Sequence, residues 1–423
     1  MRTAAFAMRS SLVFRSVPVR HLLLILGIVA HGSVSFAGCP LCPPPRLTWA
    51  ESKRDSDAML LGTLIRVEKE TPTSPGAAVF AVRDVHSGKQ LVPRGHLRIA
   101  GFVFGKPGDL FVLKAAWNAP AAEEEIGRAD TANPGSVTQV SVSRPRSLIW
   151  EVSERLTQQT WEYIESVPDA DVEPETRLEF CLRHLESDDA SIAADAWAEF
   201  AKAEYTDIRK LRKQFDPADL RKWIEASDAA PERVNLYALM LGMCGDEQDQ
   251  KFFKERIAKE GISFGLEGLL GGLIVLSGNE GLEFMQETLL SDPEADALRL
   301  WAAVQALQFA WNHEREAIGN EPLRAALRAA VVQESTREMV LTLLTQWQDW
   351  ALIDQIPALY ESCREDSRCV EAIAAFVLLY QKAHQEHDVK GRRTAETVLR
   401  QLRQKHPRVV SRLRRQLRIP DEI

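Results

Sequence analysis

The sequence predicts an α+β protein, mostly α, in which a small β-barrel-like N-terminal domain precedes a HEAT-like α-solenoid. Short strand-like runs separated by Gly/Pro turns occupy residues 59–115, as in small barrels and sandwiches. From Leu148 onward apolar residues recur with helical spacing, and helix pairs follow about every 30–40 residues, as in solenoids. The expected divisions are a signal peptide (1–37), a β-rich domain (38–146), a helical repeat domain (147–385) and a basic C-terminal helix or tail (386–423).

The N-terminal segment has the residue order of a secretion signal. It carries four arginines and no acidic residue, then an apolar run from Leu22 to Ala30, then small and polar residues up to Ala37. This order predicts cleavage after Ala37, and the run is about half the ~20 residues that a membrane span needs. We therefore expect an exported protein of the periplasm, cell envelope or extracellular space.

A second kind of processing fits the same region. Phe36-Ala37-Gly38-Cys39 resembles the lipobox of bacterial lipoproteins, in which the cysteine is lipidated and becomes the first residue. Phe36 replaces the usual leucine, and a polar spacer, residues 31–35, separates the apolar run from the cut. Simple secretion is therefore the main expectation, and a lipoprotein anchored through Cys39 remains the alternative.

The front of the mature chain has strand character. Lys106-Pro107-Gly108-Asp109 places proline and glycine where a type II turn needs them. The predicted elements are a short helix over residues 47–56 and strands over residues 59–67, 79–85, 96–103, 110–114 and 137–142.

Closely spaced cysteines, a short helix and the segment Ser56 to Leu64 together resemble netrin-like modules, the OB-type barrels that include tissue inhibitors of metalloproteases. Those inhibitors open with Cys-x-Cys, whose amine and carbonyl chelate the zinc of the target. Here Gly38 precedes Cys39, and two residues separate Cys39 from Cys42. The resemblance therefore implies a small β-domain of unknown ligand rather than a metalloprotease inhibitor.

The remainder of the chain has helical periodicity. Leu178, Cys181, Leu182 and Leu185 fall at i, i+3, i+4 and i+7, which turns one apolar face toward a neighbouring helix. Similar stripes recur along the chain. The predicted helix pairs cover residues 175–203, 217–244, 247–276, 279–312, 321–350 and 353–385.

A second resemblance involves this helical region. The segments 177–200, 239–245 and 269–272 resemble uncharacterised exported bacterial proteins in which a cysteine-bearing, netrin-like β-domain precedes HEAT-like repeats. The resemblance implies this architecture and no known activity.

The C-terminal segment differs in charge from everything before it. Removing residues 1–37 changes the formal charge from −8 to −12, and residues 389–423 hold 11 Lys/Arg against three acids, so residues 38–388 carry −20. Interleaved apolar residues predict one or two amphipathic helices, broken near Pro407. The arginines that mark this basic tail are Arg400, Arg403, Arg408, Arg412, Arg414 and Arg415.

Three partners suit such a surface: anionic lipid, which would make a peripheral membrane contact, an acidic polymer, and the acidic body of the same chain. Export argues against nucleic acid. The plainest interpretation is an intramolecular cap, because the terminal repeats of a solenoid need a polar cover.

The cysteines predict local bridges. All six follow residue 37, and an oxidising compartment permits disulfides. Cys181 and Cys244 are expected to be buried thiols. The candidate disulfide cysteines form two closely spaced pairs: Cys39, Cys42, Cys363 and Cys369.

Three sequence features could support catalysis or metal binding. Residues 261–265 match G-x-S-x-G, but a predicted helix precedes them where a nucleophile elbow needs a strand. His384 and His387 stand three residues apart at a polar helix end, and Asp195 and Glu199 lie one helical turn apart. An inter-helix turn explains the first feature, and a solvated helix end explains the two histidines. Ion pairs with nearby basic residues explain the two carboxylates.

We therefore assign no catalytic, metal or cofactor-binding residue and expect no cofactor. The expected function is that of an exported, non-enzymatic interaction or scaffold protein. It would bind an unknown protein or an acidic polymer of the cell envelope through its helical-repeat surface. A metal-dependent or hydrolytic enzyme remains an alternative.

Overall fold

The structure is a computed structural model of the 423-residue chain. It divides into two compact units, one ending at Ala326 and one beginning at Leu327. For residues 124–129 and 137–142, which pair with each other as strands, the structure describes the backbone and not the side chains. The residues that the structure describes are 41, 45–71, 75–118, 124–129, 137–142, 146–226, 229–259, 265–292, 294–384 and 388–420.

The first unit opens with a short helix and a curled antiparallel sheet. The elements are α1 (Trp49–Arg54), β1 (Ala58–Glu68), β2 (Ala77–Ser87), β3 (His96–Ala100), β4 (Leu110–Trp117), β5 (Glu124–Ala129), β6 (Val137–Val142) and β7 (Leu148–Leu156). The sheet forms a half-barrel with the strand order β3-β2-β1-β4-β7. The edge strands β3 and β7 approach each other, and β5 and β6 form a separate pair.

The central strand β1 has two buried faces. Because side chains alternate along a strand, Leu60 and Leu64 pack inside the half-barrel, against a group that includes Phe80 and Phe111. Met59 and its neighbours of the same parity pack on the opposite face against α1 and the first helices that follow the sheet. The sheet therefore joins the barrel core to the helical part of the unit.

The helical spacing expected from Leu148 onward is wrong for residues 148–156, which form β7 and pair with β4. Trp150 and Val152 pack against the half-barrel core, whereas Glu151 between them is exposed. This alternation has the period of a strand. The first helix after the sheet begins at Gln158.

The type II turn predicted at Lys106–Asp109 is present. The Asp109 N–H donates to the Lys106 carbonyl at 3.0 Å, and Gly108 has φ +101°. The predicted third strand, however, ends at Ala100 rather than Val103, and residues 102–106 continue without ladder pairing.

Helices fill the rest of the first unit, and each of the first four predicted pairs is present as two helices. Asp189, Asp216 and Asp246 cap helix N-termini by accepting backbone N–H groups, which explains where those helices begin. The helices are α2 (Gln158–Ser166), α3 (Pro174–Leu182), α4 (Ala190–Lys202), α5 (Tyr205–Lys210), α6 (Pro217–Glu225), α7 (Pro231–Cys244), α8 (Glu247–Ala258), α9 (Leu266–Ser277), α10 (Asn279–Met285), α11 (Ala297–His313) and α12 (Arg315–Ile318).

The second helices of successive pairs form an inner layer. Helix α4 contacts α7, α7 contacts α9, and α9 contacts α11. The α7–α9 contact requires glycine, because a Cβ atom added at Gly272 would lie 2.3 Å from the Ala238 carbonyl oxygen. This stacking of helix pairs is the arrangement of a helical array.

Helix α13 (Asn320–Ala329) contains the boundary between the units. The helices of the second unit are α14 (Arg337–Gln346), α15 (Ile356–Cys363), α16 (Ser367–Ala383), α17 (Val389–Lys405) and α18 (Pro407–Gln416). Helix α14 and the last two helices pack on α16. Cys363 and Cys369 form a disulfide with Cα atoms 6.1 Å apart, which joins the end of α15 to the first turn of α16.

The predicted fold class, α+β and mostly α, is confirmed. In the part of the chain that the structure describes, no helix combines the length and apolar character that a membrane span requires.

Candidate functional site

The basic C-terminal segment forms two amphipathic helices, α17 and α18, which meet at His406 before Pro407. Their apolar sides are buried in the second unit. On α17, Ala395, Val398 and Leu402 face inward against the neighbouring helices. The segment therefore packs as a further helix pair through the apolar sides of its helices.

The predicted basic surface is mostly exposed. Arg412 is half-buried and forms an ion pair of 2.5 Å with Glu371 of α16. Arg414 is only 6% exposed, because it shares the packing side of α18 with Val410 and Leu413, so it adds no charge to the exposed side of the tail. The four other predicted arginines are exposed: Arg400, Arg403, Arg408 and Arg415.

A shallow depression lies on the solvent side of α18. Pro407, Arg408, Ser411, Arg412 and Arg415 line it. Arg408 and Arg415 are seven residues apart, which corresponds to about 10 Å along a helix. Arg412 lies between them in sequence, so the depression presents three guanidinium groups along two helical turns.

Few carboxylates neutralise this surface. Among the described residues, ion pairs of the two helices join Lys390 to Asp354 and Arg392 to Glu396, besides the Arg412–Glu371 pair. Within the same residues no carboxylate forms an ion pair with the basic side chains of Arg393, Arg400, Arg408, Arg415 and Arg418. We call these five side chains the basic face.

The carboxylates that could have served catalysis are structural. Asp195 is 3% exposed. Its Oδ1 accepts the Trp49 N–H at 2.7 Å and its Oδ2 accepts the Tyr163 hydroxyl at 2.8 Å. Glu199, 5% exposed, forms an ion pair with Arg177. Asp195 therefore joins α4 to α1 and α2, and Glu199 joins α4 to α3.

Burial changes the proton affinity of this cluster. It raises the pKa of Asp195 to about 7, although the hydrogen bonds from Trp49 and Tyr163 act in the opposite direction. It also raises the pKa of Tyr163 and of the neighbouring Cys181 thiol. Because these groups have no exposed route to a substrate, the raised values describe a buried structural network.

The remaining chemical candidates lie apart. The His384 ring stacks on Tyr380 with centroids 4.6 Å apart, and His387 lies outside the described residues, as does Ser263. A helix, α8, precedes the G-x-S-x-G segment. Across the described ranges, no three His, Cys, Asp or Glu side chains are placed to share a metal ion.

An apolar pocket of the helical array holds Leu41 from the cysteine-bearing N-terminal segment. Leu41 is 8% exposed and packs with Tyr205, Leu239 and Phe309. Gly271 of α9 leaves room for it, because a Cβ atom there would lie 2.8 Å from Leu41 Cδ1. The pocket thus combines side chains of α5, α7, α9 and α11.

The same pocket binds the main chain of Leu41. Asn235 Nδ2 donates to the Leu41 carbonyl at 2.8 Å, while its Oδ1 accepts the Gly268 N–H at 3.0 Å. Asn235 is itself buried. Cys39 and Cys42, which flank Leu41, lie outside the described residues, as do Ala37 and the whole signal segment.

The other cysteines are placed as follows. Cys181 is buried and Cys244 half-buried, and both are free thiols. Burial raises the pKa of Cys244 to about 11, so its thiol stays protonated at neutral pH.

Comparison with known proteins does not assign this chain to a family. No family model, curated protein or solved structure matches it.

Two features of the structure had weak signals in the sequence. Leu41 stands between two cysteines, and nothing local indicates that its partners lie far along the chain. Phe102 belongs to the segment predicted as strand, residues 96–103, and Phe104 follows it, yet they are 73% and 85% exposed. The alternation Phe-Val-Phe between Gly101 and Gly105 is the available signal for a loop that displays aromatic side chains.

Proposed function

We propose that this is an exported, non-enzymatic interaction protein whose basic face binds an acidic polymer of the cell envelope. One observation carries the proposal. The apolar sides of α17 and α18 are buried, whereas the arginines of the basic face remain in solvent with few carboxylates beside them. The apolar packing of the two helices does not require these positive charges, and a polyanion would be attracted to them.

The alternative that the tail merely caps the helical array receives support from its packing on α16. Capping accounts for the buried side of the two helices. It does not account for the charge on the other side, since uncharged polar residues would cover the end equally well. Binding and capping therefore use opposite sides of the same helices.

The expected localisation is the cell envelope or the medium, because residues 1–37 have the residue order of a secretion signal. The position of Leu41 favours a freely secreted chain over a lipoprotein. Two residues span at most about 7 Å, so an acyl chain on Cys39 would hold the array itself against the bilayer with almost no linker.

The intact mass of the mature protein from its native envelope tests this assignment. We expect the mass of a chain that begins at Gly38 and carries no lipid on Cys39. Formation of a disulfide by Cys39 would be consistent with this result. A diacylglyceryl group on Cys39 would establish the lipoprotein instead.

The N-terminal half-barrel supports the proposed likeness to OB-type modules. Five antiparallel strands curl until β3 and β7 approach each other, as in a partly open five-stranded barrel. No zinc-chelating N-terminal cysteine is proposed, because Gly38 precedes Cys39.

Binding to inorganic polyphosphate tests the role of the basic face. The variant Arg400→Gln/Arg408→Gln/Arg415→Gln removes three exposed charges and should lower the affinity about tenfold or more. The matched control is Arg364→Gln/Arg368→Gln/Lys382→Gln, which removes three exposed charges elsewhere in the second unit. Equal affinities for the two triple variants would refute the proposal.

A further inference from the structure

The loop between β3 and β4 carries an exposed pair of aromatic side chains. Phe102 is 73% exposed and Phe104 is 85% exposed. Their rings lie edge to face with centroids 4.6 Å apart. They thus form one apolar projection rather than two isolated surface residues.

The backbone of this loop is fixed at both ends. At the start, the Gly101 N–H donates to the Gly76 carbonyl at 2.8 Å. At the end, the Gly108 N–H donates to the Leu64 carbonyl at 2.9 Å, and the Asp109 side chain accepts the Lys106 N–H at 2.8 Å. The loop is therefore held in one conformation by hydrogen bonds to the half-barrel.

The middle of the loop is fixed as well. Val103 packs against the half-barrel core, and a Cβ atom at Gly105 would lie 2.8 Å from the ring of Phe111. Because side chains alternate along an extended backbone, these contacts direct Phe102 and Phe104 away from the core. The fold holds both rings in water, where a large apolar group contributes nothing to stability.

The segment that forms strands β1 to β4 of the half-barrel differs in charge from the rest of the body. Its residues, 58–118, contain eight Lys/Arg and four Asp/Glu, whereas the rest of residues 38–388 carries a net charge of −24. Lys106 stands two residues after Phe104, and Lys69 follows the last residue of β1; both are exposed. The aromatic projection therefore belongs to a part of the sheet with a net positive charge.

We propose that this loop is a membrane-contact site that inserts Phe102 and Phe104 into the boundary between headgroups and acyl chains of an anionic bilayer. The bilayer suits a projecting tip, whereas a protein partner would have to supply a matching groove. Apolar insertion and attraction of basic residues to anionic lipid are the two contributions that hold proteins at this boundary. This site is separate from the basic face of α17 and α18.

Co-flotation of the full chain with vesicles tests the proposal. The parent for all variants is Arg400→Gln/Arg408→Gln/Arg415→Gln, which removes the basic face from the measurement. On equimolar phosphatidylcholine and phosphatidylglycerol, Phe102→Ala/Phe104→Ala should lower partitioning about tenfold or more. The control Leu298→Ala, a 54% exposed apolar residue of α11, should change it less than about twofold.

A second pair of variants separates the charge from the rings. Lys69→Gln/Lys106→Gln should weaken binding to the mixed vesicles and leave the weaker binding to phosphatidylcholine alone unchanged, because only anionic lipid attracts the lysines. The proposal is overturned if the parent binds neither vesicle, or if the double phenylalanine variant partitions like its parent. Capture of a protein that requires both rings, without vesicle binding, would identify a protein site instead.

Discussion

The role of Asp195 could be assigned only once its hydrogen-bond partners were known. The sequence places it one helical turn from Glu199, a spacing that suits acid–base chemistry or a cation. Its partner Trp49 is 146 positions away in sequence, so no local pattern could reveal that the carboxylate accepts a backbone N–H of α1. The same limit applies to Arg414, whose burial depends on which side of α18 packs inward.

The raised pKa of Asp195 predicts a specific pH dependence. The folded value of about 7 exceeds the ordinary value of 3.8, so the contribution to stability is complete below the ordinary value and is lost as the pH rises through about 7. Asp195→Asn mimics the protonated acid and should gain stability relative to the native chain between about pH 4 and 7, by up to about 4 kcal/mol.

Urea unfolding at a pH near 5 and near 8 measures this difference. Asp188→Asn is the control, because its side chain is exposed on the surface. An Asp195→Asn chain whose stability differs from the native chain by the same amount at both pH values would contradict the burial argument.

At the scale of elements, the helices were predictable and the end of the sheet was not. Apolar stripes with helical spacing, together with Asp and Pro at helix starts, give α3 and α4, α6 and α7, and the later pairs. Strand β7 was not predicted because its nine residues are too few for the pattern of apolar and polar positions to distinguish the period of a strand from that of a helix. Which pairs stack, and the need for Gly272 between α7 and α9, are properties of the assembled array.

Leu41 packs into the helical array although it does not belong to a helix or a strand. Leu41→Ala should lower the free energy of unfolding by about 2–4 kcal/mol, because it empties a pocket lined by four helices and leaves the Asn235 contact unsupported. The control Leu47→Ala changes a leucine that is 61% exposed and should have an effect within about 0.5 kcal/mol.

Urea midpoints of the two variants make the comparison. If Leu41→Ala and Leu47→Ala have the same stability, Leu41 is not held in the pocket in solution, and the argument against a lipid anchor at Cys39 loses its support.

At the scale of the whole molecule, charge is distributed by region. The sequence alone locates the basic segment and predicts its amphipathic helices, because composition and periodicity are local properties. Only the structure separates the arginines of the basic face from the buried Arg414 and the paired Arg412. When a polyanion binds through several charges, the affinity depends strongly on salt concentration. The size of this dependence therefore measures how many basic side chains contact the polyanion.

The slope of log affinity against log salt concentration for inorganic polyphosphate tests the central claim most directly. Each bound charge contributes about 0.7–0.9 to such a slope in nucleic-acid systems. We therefore expect Arg400→Gln/Arg408→Gln/Arg415→Gln to reduce the slope by about two, while Arg364→Gln/Arg368→Gln/Lys382→Gln leaves it unchanged. A slope that is the same in the native chain and the first variant, or reduced equally in both variants, would contradict the assignment of the basic face as the binding surface.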